Sequence, residues 1–185
     1  MDGPPVGDIC SICHGRFNIP CQANCSHWFC GKCIMLVWDH GSPLHPCKCP
    51  LCRRSITLLV PSEVSPIQQS DPEVARVLNN IRTYNRHFGG NSTDLSQRLQ
   101  DLPFLLRRLL RELHNPQRSL PLVIRTRVYI AMVLSVIYTV SPIDIIPEAL
   151  LGLFGLMDDI LILLICFLYI AAMYRSVLYN RHGGT

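Results

Sequence analysis

Residues Cys10 to Cys52 read Cys10-Ser-Ile-Cys13, eleven residues, Cys25-Ser-His27-Trp-Phe-Cys30-Gly-Lys-Cys33, fifteen residues, and then Cys49-Pro-Leu-Cys52. Seven cysteines and one histidine fall in closely spaced pairs. A Cys-x2-Cys pair turns two thiolates toward one ion, and zinc takes four sulfur or nitrogen ligands in a tetrahedron. Eight ligands make two closed, structural sites, and spacing alone allows them to be sequential or interleaved. A disulfide-linked secreted module is disfavoured, because these pairs beside a histidine suit metal better than bridges. Met1 to Asp8 holds no apolar run of a signal peptide. The expected setting is a reduced, cytosol-facing compartment.

The ligand order, three cysteines, His27 and four cysteines, resembles a RING finger. PHD fingers, LIM domains and zinc ribbons place their ligands differently. The RING resemblance implies interleaving. Cys10, Cys13, Cys30 and Cys33 would hold one Zn2+, and Cys25, His27, Cys49 and Cys52 the second. Cys21 and Cys47 are left as bystanders, and Cys166 as a buried apolar residue. In so small a unit the metal largely replaces a hydrophobic core, so residues 9–56 are not expected to fold without it.

Outward from this module, residues 57–70 form a proline-containing polar linker. Asp71-Pro72-Glu73 is a helix start, and Val74, Val77, Leu78, Ile81, Tyr84 and Phe88 recur at helical spacing before Gly89-Gly90. The spacing predicts a helix over 71–90, packed on or near the zinc module. Residues 92–127 form a basic amphipathic segment, with Leu99, Leu102, Leu106, Leu109, Leu110 and Leu113 on one side among Arg107, Arg108 and Arg111. It fits a membrane surface or an ordinary core helix.

Charge marks the next boundary. Residues 128–174 carry no Lys or Arg and four acids, between Arg125 and Arg127 on one side and Arg175 and Arg181 on the other. Val128–Ile143 and Ile160–Tyr174 are uncharged runs of sixteen and fifteen residues. Each is short of the ~20 residues of a spanning helix unless extended past Asp144 or past Asp158 and Asp159. The favoured reading is a two-helix membrane hairpin over 128–175, both ends cytosolic, with 176–185 as a cytosolic tail; the alternative is a compact helical domain or a re-entrant pair lying in one leaflet. Ser141-Pro142-Ile143-Asp144-Ile145-Ile146-Pro147-Glu148 and Gly155-Leu-Met-Asp158-Asp159 resemble the signature of a small domain of unknown function. Asp144, Glu148, Asp158 and Asp159 suit helix capping better than a hard-cation site. The expected fold is therefore a small zinc-stabilised α+β RING domain, an all-α linker and a membrane-embedded α-helical hairpin.

The RING, the Tyr84-Asn85-Arg86-His-Phe88 stretch and the C-terminal motif together resemble the RING finger protein 170 family of endoplasmic-reticulum ubiquitin ligases. Members commonly carry a further membrane helix before the RING, so topology here is expected to rest on the C-terminal hairpin. The resemblance implies a RING-type E3 ubiquitin transferase with no covalent intermediate. Its partners would be a ubiquitin-conjugating E2 enzyme, ubiquitin and a protein substrate, with endoplasmic-reticulum membrane proteins sent to the proteasome. The chain would be multi-pass, RING facing the cytosol. Motif position carries Ile12, Trp38 and Pro50 over as E2-binding residues and Arg53 as the linchpin that bonds both E2 and ubiquitin; a guanidinium suits that bridge. Trp38 lies five residues past Cys33, where many RINGs place it four past, so Val37 could share the role. A nucleic-acid-binding role is disfavoured, because residues 1–60 carry a net charge of only +2. The alternative is a non-catalytic zinc-binding membrane adaptor, which has no need of Ile12, Trp38 and Arg53 together. Lys32 and Lys48 are the only lysines, against fifteen arginines, which leaves few sites for self-modification.

Overall fold

The structure is a computed structural model and describes residues 3–42, 44–62, 71–90, 95–114, 122–140 and 153–183. Strands β1 (Pro20–Ala23), β2 (Trp28–Cys30) and β3 (Leu59–Pro61) form an antiparallel sheet in the order β2-β1-β3, and helix α1 spans Gly31–Asp39. The β1–β2 register pairs Cys21 with Phe29, and the β1–β3 register pairs Gln22 with Val60. Ser26 takes a left-handed turn at φ 71° and donates its N–H to Ala23 O. That tip carries Cys25 and His27 on either side of it. The core beneath is Phe29, Ile34, Ile56 and Leu59, none exposed at all.

Helix α2 (Pro72–Phe88) lies against this core. Asp71 caps it by accepting from Glu73 N at 2.9 Å, and Pro72 opens it. Its buried face is Val77, Ile81, Tyr84 and Asn85. Gly31, at the start of α1, permits the close approach: a Cβ there would lie 2.8 Å from Val77 Cγ1 and 3.2 Å from Ile81 Cδ1. An exposed Lys32–Glu73 pair at 2.8 Å joins the same two helices and adds little.

The described residues continue as α3 (Leu95–His114), α4 (Leu122–Val140) and α5 (Leu153–His182). The chain forms two compact units, residues 1–104 with 176–185, and residues 105–175. In the first, the end of α5 meets α2. Asn85 Nδ2 donates to His182 O at 3.3 Å, and Leu178 is fully buried. Gly89 admits the Tyr179 ring, which would lie 2.9 Å from a Cβ there. In the second, Cys166 Sγ donates to Ala131 O at 3.6 Å, and Val128, Ile170, Ala171 and Tyr174 are buried.

Several expectations change. The linker expected over 57–70 does not begin at 57, because Leu58, Leu59 and Val60 are buried and Leu59–Pro61 pairs with β1 as a strand. The buried face of α3 is Asp101, Phe104, Leu105, Arg108, Leu109 and Glu112, while Leu99 and Leu110 are exposed. A long-range tie holds this face inward: Arg54 reaches the buried Asp101 at 3.0 Å, while Arg108 and Glu112 approach each other one turn apart on α3 itself at 3.7 Å. Helix α4 begins at Leu122, so Arg125 and Arg127 lie inside it rather than ahead of it. Residues 176–182 form the last turns of α5, where a tail was expected.

Among the described residues, one helical span, Ile160–His182, is long and apolar enough to cross a membrane. Ile160, Leu161, Ile165 and Tyr169 are exposed on it, as are Ile130, Val133, Leu134 and Ile137 on α4. The Ser141–Glu148 motif lies outside the described residues.

Candidate functional site

Two groups of ligand atoms each gather within 4.8 Å: Cys10, Cys13, Cys30 and Cys33 in one, and Cys25, His27, Cys49 and Cys52 in the other. Each draws ligands from both sides of the other in sequence, so the sets interleave. Each is built from a Cys-x2-Cys turn and a second pair brought up by the sheet. The two turns are the same structure. Cys10 N donates to Gly15 O and His14 N to Cys10 O; Cys49 N donates to Arg54 O and Arg53 N to Cys49 O. In each, the residue after the second cysteine is left-handed, His14 at φ 55° and Arg53 at φ 59°.

The donor chemistry fits zinc. His27 Nδ1 lies 3.5 Å from Cys49 Sγ, and Cys13 and Cys30 sulfurs lie 3.9 Å apart. Backbone amides point at the sulfurs: Asn18 N at Cys30 Sγ, 3.3 Å, and Cys30 N at Cys10 Sγ, 3.4 Å. Burial pushes the Cys10 thiol up, but amides from Cys30, Cys13 and Ile12 outweigh it and bring it down to about 7. Burial and neighbouring sulfurs push Cys33 up to about 12. Such crowding of sulfurs favours a dication at their centre. Two Zn2+ ions therefore match the two sets. Cys21 and Cys47 lie in the core, and burial raises both thiols.

The residues carried over as E2 contacts sit around these turns. Ile12, between Cys10 and Cys13, and Trp38, on α1, both pack partly against the core. Pro50 and Arg53 are exposed on the hairpin that carries Cys49 and Cys52. Val37, Trp38, His45, Pro46, Cys47 and Lys48 line a cleft of about 260 Å3.

Sequence reasoning missed the polar side chains that hold this arrangement. Tyr84, wholly buried, donates its hydroxyl to Ile56 O and accepts from Cys47 N at 3.1 Å. Asn85 pairs with both backbone atoms of Leu59. Asp101, also wholly buried, accepts from Asn24 Nδ2 at 2.9 Å and from Arg54 at 3.0 Å. The available signal was Asn85 standing on the apolar stripe of α2, four residues past Ile81 and three before Phe88.

A family model described as a protein of unknown function, DUF1232, matches residues 128–165. The E3 ubiquitin-protein ligase RNF170 of Danio rerio is 39% identical over 180 residues, covering 95% of this chain and 67% of that protein. RNF170 of Xenopus laevis is 38% identical over 172 residues, covering 93% and 65%. The human E3 ubiquitin-protein ligase RNFT1 matches over 52 residues at 40% identity, covering 28% of this chain and 11% of that protein. No solved structure matches. The chain thus spans about two thirds of the length of the RNF170 proteins. With two RING-type ligand sets and similarity over nearly its whole length, the chain belongs to the RNF170 family of RING-type E3 ubiquitin-protein ligases.

Proposed function

We propose that this chain binds a ubiquitin-charged E2 and promotes transfer of ubiquitin to lysines of endoplasmic-reticulum membrane proteins, which marks them for degradation. The observation that carries this reading is the exposed Arg53 at the end of the second Cys-x2-Cys turn, on the hairpin that also presents Pro50. Zinc, held by the two ligand sets, supplies no chemistry at the thioester; it fixes the turns that bear these side chains.

Ile12, Trp38 and Pro50 form the apolar face that receives the E2. Arg53 hydrogen-bonds the E2 and ubiquitin together, which restrains a flexible conjugate so that a substrate lysine meets the thioester in a reactive pose. The chain itself makes no covalent bond to ubiquitin.

Membrane anchoring runs through α4 and α5, as a hairpin with the RING in the cytosol. Residues 176–182 belong to the RING-containing unit. The part of α5 left for lipid is then residues 153–175, about 35 Å at 1.5 Å per residue, long enough for a hydrocarbon core only with Asp158 and Asp159 included toward its far end.

The test is single-turnover discharge of a charged E2, over a panel of E2 enzymes, by the full chain in lipid nanodiscs beside Arg53→Ala. Acceleration by the unmodified chain and loss of most of it in Arg53→Ala support the reading. No acceleration with any E2, from protein holding two zinc ions, moves the function to a non-catalytic adaptor.

A further inference from the structure

Residues 47–56 form a hairpin closed at its base. Ile56 N donates to Cys47 O at 2.9 Å, Lys48 and Ser55 form a bridge, and Cys49 N donates to Arg54 O at 2.8 Å. Its tip bears Cys49, Pro50, Cys52 and Arg53. The phenol of Tyr84 grips both arms at the base, donating to Ile56 O and accepting from Cys47 N, with Cys47 Sγ a further 3.3 Å neighbour. The same ring stands edge-on to Trp38, with centroids 5.2 Å apart and planes at 85°. Phe88 completes the group, 4.9 Å from Tyr84 and 6.1 Å from Trp38. One side chain, 32 residues past the last ligand, therefore touches both walls of the face: the helix with Trp38 and the hairpin with Pro50 and Arg53.

We infer that Tyr84 is a positioning residue for E2 docking, setting the spacing of Trp38 against the Pro50–Arg53 hairpin, with Phe88 packed beside it against the same Trp38 ring. The inference rests on the ligase reading above. It places part of E2 affinity in α2, outside the zinc-binding residues. Tyr84 reaches neither zinc ligands nor E2 directly, so its loss should loosen docking without changing the reacting geometry once docked.

The experiment is steady-state discharge of charged E2 by the full chain in nanodiscs, comparing Tyr84→Phe and Phe88→Leu with the unmodified chain, and zinc content measured for each. Tyr84→Phe keeps the ring and removes only the hydroxyl. Losing its hydrogen bonds should raise KM for charged E2 about three- to tenfold while kcat stays within about twofold. Phe88→Leu should shift KM the same way, and it is the variant read if Tyr84→Phe loses zinc. Arg53→Ala should instead act mainly on kcat. An active unmodified chain whose variants retain two zinc ions and an unchanged KM overturns the inference. A fall confined to kcat does the same. An inactive unmodified chain overturns the ligase reading first and the inference with it.

Discussion

The carboxamide of Asn85 pairs with Leu59 as a neighbouring strand would: Nδ2 donates to Leu59 O at 2.7 Å, and Oδ1 accepts from Leu59 N at 2.9 Å. β3 is an edge of the sheet, and here a side chain from α2 covers its open backbone. Asn85→Ala would leave both groups buried and unpaired. We expect a loss of about 2–3 kcal/mol in denaturant unfolding of the zinc-loaded protein. Asn85→Asp should cost at least as much, since it removes the donor and adds a buried charge. A change below about 0.5 kcal/mol in either variant would show the pairing to be dispensable.

Arg53 occupies a left-handed conformation that β-carbon-bearing residues pay about 1 kcal/mol to adopt. Arg53→Gly should therefore raise thermal stability, or leave it unchanged, while removing most ubiquitin transfer. Arg53→Ala should be similarly inactive without the gain. Opposite signs for stability and activity at one position separate function from folding. A fall in both for Arg53→Gly would count against the linchpin role.

Asp101 is a wholly buried carboxylate that Arg54 and Asn24 satisfy across 47 and 77 residues of chain. Asp101→Ala should destabilise by about 1–3 kcal/mol; the partial exposure of Arg54 limits the loss. Asp101→Asn should recover part of it by keeping an acceptor. Chemical denaturation of the two variants side by side checks the order.

Metal removal should expose every thiol of the RING together. With zinc bound, an alkylating reagent should spare the seven ligand cysteines and also Cys21 and Cys47, which the core covers. After chelation all nine should react, with loss of tertiary structure. Mass spectrometry of labelled peptides reads both states. Early labelling of Cys21 or Cys47 in the loaded protein would contradict their burial.

The ligand sets were legible because a Cys-x2-Cys pair encodes its own turn, and α2 because apolar residues recur at its period. The long-range polar ties were not. Nothing local to Tyr84, Asn85 or Asp101 says that its partner lies 26 or more residues away. Charge misled at two boundaries. Arg125 and Arg127 read as a stop, yet arginine is a good helix former and α4 runs through both. Arg175 and Arg181 read as the start of a tail, yet Leu178 continues the buried row of Ile170, Ala171 and Tyr174 at helical spacing. That row was the better signal. On α3 the leucines suggested one face, but Asp101 is buried and tied to Arg54 and Asn24, which no leucine spacing announces.

The matching turns at 10–15 and 49–54 make the metal loops exchangeable parts. Same hydrogen bonds, same left-handed residue, different cargo: a histidine leaves one and an arginine the other. A designer could therefore rewrite His14 and Arg53 as a pair, swapping their side chains without redrawing either loop, and learn whether a RING reads an arginine by its identity or by its address.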